Sequence, residues 1–244
     1  MTAGKALLEV AANSVASAVA AEQGGADRIE LCAALEVGGL TPSCAQVAVT
    51  RERVRIPVYV LIRPRAGDFV YAGHEFETMK RDIENCVGLG CDGVVVGALD
   101  EDANVDERGC RELICAAGKL GVTFHRAFDV SRDLNAALET VVALGCERVL
   151  TSGGQASAAS GVRQIHTLVG QAGGRIRVMP GAGIDSSNVA TIRVQTGATE
   201  FHASARRVLR SRLHAPGKNL RGMIEGEWRS DVDEVRAMVA ALRG

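Results

Sequence analysis

The chain has 244 residues, of which 47% are hydrophobic and only 3% aromatic, and its formal net charge is −1. That length is ample for one large core, and the charge balance leaves no basic footprint for nucleic acid. No apolar stretch approaches the ~20 residues of a membrane span, and Glu9 and Asn13 interrupt the Ala-rich start, so it does not read as a signal peptide.

In chain order, β-rich runs over 6–11, 56–62, 120–125 and 175–180 read as strands. Between them a short pattern recurs: glycine, a small residue, a polar residue, then a further strand. It appears as Gly25-Ala26-Asp27, Gly90-Cys91-Asp92, Gly145-Cys146-Glu147 and Gly197-Ala198-Thr199. Each glycine follows a helical pattern and reads as a helix C-cap. Helix signals include Thr41-Pro42 as N-cap and first helical position, and Phe76, Met79, Ile83 and Val87 at helical spacing. Leu134, Leu138, Val141 and Leu144 do the same. Asp231 with Glu234 reads as a capping box opening a last helix. The repeat spacings of 65, 55 and 52 residues match two βα units of roughly 30 residues each. Eight alternating units over residues 1–244 predict a single α/β domain, a (β/α)₈ TIM barrel, with the eighth strand preceding the last helix. An open doubly wound sheet is the alternative.

Strand side chains alternate between faces. The repeat therefore points Ile29, Val94, Val149 and Phe201 at the helices, and Glu30, Val95, Leu150 and His202 into the lumen. On the other strands the same parity turns Glu9, Arg63 and His125 inward. Barrel chemistry sits at the carboxyl ends of the strands. There the chain collects Glu9, Glu30, His125, His202 and Asp129, which suit acid/base work or a metal ion. Asp100 is also expected at this rim. Arg63, Arg65 and Arg126, with Asp68 and Ser152, suit an oxyanion or carboxylate. Gly181 and Gly183, with Ser204, lie in the loops after strands seven and eight, where barrels often bind phosphate. The expected partner is a small anion or a metal ion, with a homo-oligomer left open.

Seven cysteines without a CxxC read as reduced thiols of a cytoplasmic protein. Soft thiolates select Cu(I), and Cys32 and Cys44 flank one loop-bearing segment, so the pair is a candidate Cu(I) site. Cys91 and Cys146 stand where the repeat elsewhere has alanine and read as buried filler.

The motifs Leu31-Cys32, Gly38-Gly39-Leu40-Thr41-Pro42-Ser43, Arg63-Pro64-Arg65 with Gly67-Asp68-Phe69, and Thr123-Phe124-His125-Arg126-Ala127-Phe128-Asp129 resemble those of the CutC copper homeostasis protein family. So do Gly97 with Asp100 and Val105-Asp106, Arg148-Val149-Leu150-Thr151-Ser152-Gly153, Gly181-Ala182-Gly183 and His202-Ala203-Ser204-Ala205. The resemblance implies a cytoplasmic TIM barrel associated with copper handling. It also implies Cu(I) as a cofactor or cargo, held by Cys32. The other reading is an enzyme on a small anionic or carbonyl metabolite at the carboxyl-end mouth.

Overall fold

A computed structural model describes residues 6–211 and 226–244. Eight strands carry the fold: β1 (Leu7–Ala12), β2 (Arg28–Leu31), β3 (Val58–Leu61), β4 (Gly93–Val96), β5 (Gly121–Phe124), β6 (Arg148–Thr151), β7 (Arg177–Pro180) and β8 (Glu200–Ala203). They form one parallel sheet in the order β7-β6-β5-β4-β3-β2-β1-β8. β7 and β8 lie side by side, so the sheet curls into a nearly closed barrel. Consecutive strands are neighbours throughout, without the reversal of order that a doubly wound sheet requires. Helices α1 (Val15–Gly24), α2 (Cys44–Arg53), α3 (Gly73–Gly88), α4 (Glu107–Ala117), α5 (Leu134–Ala143), α6 (Val162–Ala172), α7 (Val189–Thr196) and α8 (Val232–Arg243) follow the strands in turn.

The repeat glycines have the backbone that the pattern demands. Gly25, Gly90, Gly145 and Gly197 all sit at positive φ, between 67° and 89°, where a side chain costs energy. The strand parity is also as expected. Ile29, Val94, Val149 and Phe201 join the large apolar cluster between sheet and helices. Val95 instead packs inside the barrel with Cys32, Tyr59 and Leu61.

Three local expectations need correction. Thr41 does not cap α2: its hydroxyl accepts the Arg63 N–H at 2.8 Å, and Ser43 caps the helix through Gln46 N–H. Asp231 caps α8 alone, because the Glu234 carboxylate turns away to accept the N–H and hydroxyl of Ser186. Third, β8 does not lead straight into the last helix. An antiparallel pair, β9 (Arg206–Leu209) and β10 (Glu227–Ser230), intervenes. Of the arginines at 206, 207, 210 and 212, the first two thus lie on a strand, with Arg206 stacked 4.7 Å from the Trp228 ring centroid, while Arg212 lies outside the described residues.

Inside the lower barrel, large and small side chains alternate. The Tyr59 ring fills the space in front of Gly93, where a Cβ would lie 2.1 Å from its Cε1. Overpacking of this kind costs about 1–3 kcal/mol. Gly93→Ala should therefore lower the urea midpoint measurably, and should cost less in a Tyr59→Leu background. An unchanged midpoint in the single variant would show that the ring moves freely.

Candidate functional site

The lumen floor is a ladder of buried charge. Glu9 Oε2 accepts from Arg28 Nε at 2.5 Å, and Arg28 Nη2 donates to Glu200 Oε2 at 2.8 Å. Glu200 also accepts from Arg148 Nε at 3.0 Å, and Arg148 Nη1 donates to Thr123. Both guanidiniums stack on the Tyr59 ring, at 5.2 and 4.8 Å. Arg28, Arg148, Glu200 and Tyr59 were not singled out from the sequence, although strand parity turns each of them inward.

Above the ladder, β8, β1 and β2 bring His202, Glu9 and Glu30 together. His202 Nδ1 lies 2.8 Å from Glu9 Oε1 and 3.9 Å from Glu30 Oε2. Burial opposes ionisation of Glu9, but the Arg28 charge and the His202 hydrogen bond hold its carboxyl well below the usual range. Glu30 has no guanidinium partner. Burial, against the pull of His202 and with the Glu9 charge adding to it, pushes Glu30 up to about 7. Burial would lower His202, but its bond to Glu9 and the charges of both carboxylates raise it on balance. Of the three, Glu30 is therefore the group brought to near neutrality.

The floor opens into a cavity of about 570 Å³ at the carboxyl ends of the strands, lined among others by Glu30, Arg63, His125, Arg126, Ser204 and Arg206. His125 directly follows β5, with its ring packed over Gly97, where a Cβ would clash at 2.5 Å. Its Nδ1 accepts the Ala127 N–H at 3.1 Å. Burial, and then the nearby Arg63 charge, push its pKa down to about 3. The ring is thus neutral with its proton on Nε2, and that N–H is buried without a partner.

Other expected residues serve the walls. Arg63 does not offer a free fork: Nη1 donates to the carbonyls of Val37 and Gly39, and Nη2 to that of Gly67. It ties two loops together. Only its Nε lacks a partner. Arg65 and Asp68 lie off the cavity, paired with each other and, for Arg65, with Glu75. Asp129 is no free base. It accepts from Arg126 Nε, Thr151 Oγ1, Ser152 N and Oγ, and Gly154 N, all within 3.0 Å. Ser152 is buried and accepts from Arg126 Nη2. Asp100 accepts from the backbone of Asp102 and Asn104 and closes its own loop. Gly181 leaves room for Leu150 and His202, whereas Gly183 and Ser204 line the cavity. Arg206, which the sequence did not mark as a site residue, lines it as well.

The two cysteines do not pair. Cys32 is fully buried with Tyr59 and Leu61, whereas Cys44 is exposed and borders a small pocket with Val60 and Cys86. Successive residues of β3 point to opposite faces, so Cys32 and Cys44 address opposite sides of the barrel wall. Burial, with the charges of Glu30 and Glu36, pushes the Cys32 thiol well above its ordinary value.

A family model for the CutC family matches residues 6–207. The chain belongs to the CutC family. A family protein CutC from Xanthomonas campestris pv. campestris (strain B100) is 58% identical over 236 residues, 97% of this chain and 98% of that protein. The human copper homeostasis protein cutC homolog is 54% identical over 200 residues, 82% of this chain and 73% of that protein. A crystal structure of CutC from Streptococcus agalactiae superimposes with a TM-score of 0.78 at 33% identity, covering 82% of this chain and 98% of that one. The CutC match spans β1 to β8 and so contains Glu9, Glu30, His125 and His202, while β10 and α8 lie beyond it. No helix among the described residues is long and apolar enough to cross a membrane.

Glu30 sets a pH signature. Its folded value stands above its ordinary 4.5, so the folded state holds more protons than the unfolded state between the two. Stability from this group is complete below about 4.5 and is lost as pH rises through about 7. The loss is on the order of a few kcal/mol. Urea unfolding in EDTA should show Glu30→Gln gaining on the wild type between pH 5 and 8. Parallel curves for the two proteins would mean that Glu30 ionises freely.

Proposed function

We propose that the barrel mouth of this CutC protein binds and transforms a small molecule bearing an anionic or carbonyl oxygen. One observation carries this reading. Glu30, Arg63 and His125 each keep a buried polar atom without a hydrogen-bond partner, and all three residues line one cavity. Such an atom costs about 1–3 kcal/mol, and a ligand that satisfies the three together removes that cost.

The residues divide the work. The His125 Nε2–H is a fixed neutral donor in a dry wall, suited to an oxygen on which negative charge develops. Arg126 and Arg206 supply positive charge at the rim. Gly183 and Ser204 stand at the loop positions where barrels take phosphate. The Glu30–His202 floor carries the titratable chemistry beneath. The seven free thiols suit a reducing compartment, in keeping with a cytoplasmic protein.

Copper is the second reading. The human relative's name ties it to copper homeostasis, and Cys32 is the one cysteine packed in the lumen cluster. The fit to Cu(I) is poor, because a soft ion favours thiolates, this thiol is buried and protonated, no second cysteine joins it in the lumen cluster, and the lumen sulfur of Met179 is engaged by Arg28 Nη2 at 3.5 Å. Competition with a Cu(I) chelator tests it: retention by the wild type that disappears in Cys32→Ser supports a direct role, and equal retention removes Cys32 from consideration.

For the main reading, calorimetry with phosphate, sulfate and small oxo acids should find a ligand whose affinity falls roughly 10- to 100-fold in His125→Ala, the loss of a hydrogen bond to a charged group. Circular dichroism should stay native. Equally weak binding by both proteins would leave a self-neutralising lumen as the better account.

A further inference from the structure

We propose that Glu9, Glu30 and His202 hold a divalent transition-metal ion at the floor of the mouth. The proposal rests on the preceding reading only for the use to which the ion is put. Each residue offers one ligand atom, and the three atoms lie within 4.8 Å of one another, the only such group among the described residues. The His202 Nδ1 separations of 2.8 Å to Glu9 and 3.9 Å to Glu30 suit donors about 2.0–2.2 Å from a shared ion, which places them roughly 3–4 Å apart.

A second observation points to the ion independently. Glu30 is 5% exposed, and its Oε2, on the side facing His202, has no hydrogen-bond partner. A buried carboxyl oxygen with no hydrogen-bond partner beside two other ligand atoms is a donor free to take a cation. The guanidinium of Arg28 does not fill that role, since it is committed to Glu9 Oε2 and Glu200.

The support around the donors is that of a ligand set. Glu9 and His202 are register partners on β1 and β8, and Glu30 follows on β2 opposite Ala11. All three are therefore held on adjacent strands rather than loops, the rigid placement that a metal site needs. Arg28 orients Glu9 through its second oxygen, an outer-shell contact of the kind that fixes ligating carboxylates. Two carboxylates and one imidazole favour ions such as Mn²⁺, Co²⁺ or Zn²⁺ over Cu(I). Three protein donors beside an open cavity leave positions for water or substrate, as in catalytic rather than structural sites. When bound, the ion would supply a Lewis acid to a substrate oxygen.

The test is titration of the chelator-stripped full chain with Mn²⁺ and Zn²⁺ by calorimetry, and with Co²⁺ by its visible absorption. One ion per chain is expected, with affinity reduced at least 10-fold in Glu30→Gln and in His202→Ala, and unchanged in Arg65→Ala, which lies off the cavity. Should His202→Ala misfold, the near-isosteric Glu30→Gln and the Co²⁺ spectrum decide. No stoichiometric ion in the wild type, or undiminished binding by Glu30→Gln, overturns the proposal. His125→Ala separates it from the anion reading: anion affinity falls there while metal affinity holds, and either can fail without the other.

Discussion

Charge inside a barrel must be compensated by charge, and the ladder Glu9–Arg28–Glu200–Arg148 is where this chain meets that constraint. Isolated ions in such an interior would cost several kcal/mol each. Here Arg28 bridges Glu9 on β1 and Glu200 on β8, Arg148 pairs with Glu200 from the other side, and both guanidiniums stack on the Tyr59 ring. The small residues Gly93 on β4 and Gly121 on β5 admit that ring. The ladder closes the lower lumen and holds Glu9 in one orientation. Everything polar above it, including His202 and the bare Glu30 carboxylate, inherits its position from that fixed layer.

The upper mouth follows a different logic. Loops there are tied by side chains that first looked like ligand-binding groups. Arg63 gathers the carbonyls of two loops, and the Asp129 carboxylate gathers donors from β6, its following loop and Arg126. Satisfied groups of this kind make a rigid wall. Against it, the few unsatisfied atoms stand out: among the described residues, three of the four, on Glu30, Arg63 and His125, belong to residues that line one cavity, and the fourth is the Tyr71 hydroxyl. A core under selection for stability alone would have no reason to leave them there.

His125 shows how backbone geometry sets chemistry. The turn after β5 (Arg126–Val130) sends the Ala127 N–H back to Nδ1, which leaves the ring proton on Nε2. Burial and the Arg63 charge keep the ring neutral. Nearby, Glu9 and Glu30 diverge although both are buried glutamates: one faces Arg28 and stays ionised, the other faces no guanidinium and holds its proton to near neutrality.

Strand count, parity and the inward direction of Glu9, Glu30, His125 and His202 were legible in the amino-acid order, because a period of two and a recurring C-cap glycine are local rules. The antiparallel β9–β10 pair was not, since its strands are only four residues each and are separated by residues 210–226. Nor were the partners. Arg65 and Arg63 are two residues apart and of one type, yet one is an exposed loop pair with Asp68 and the other a buried tie. Cys32 and Cys44 flank one loop and lie on opposite sides of the wall. Composition and periodicity determine which face a side chain takes, for that depends on the chain's own geometry. Which charge meets which, and which atom is left without a partner, depends on residues up to about two hundred positions away, as Glu9 and His202 are, and only the closed barrel decided it.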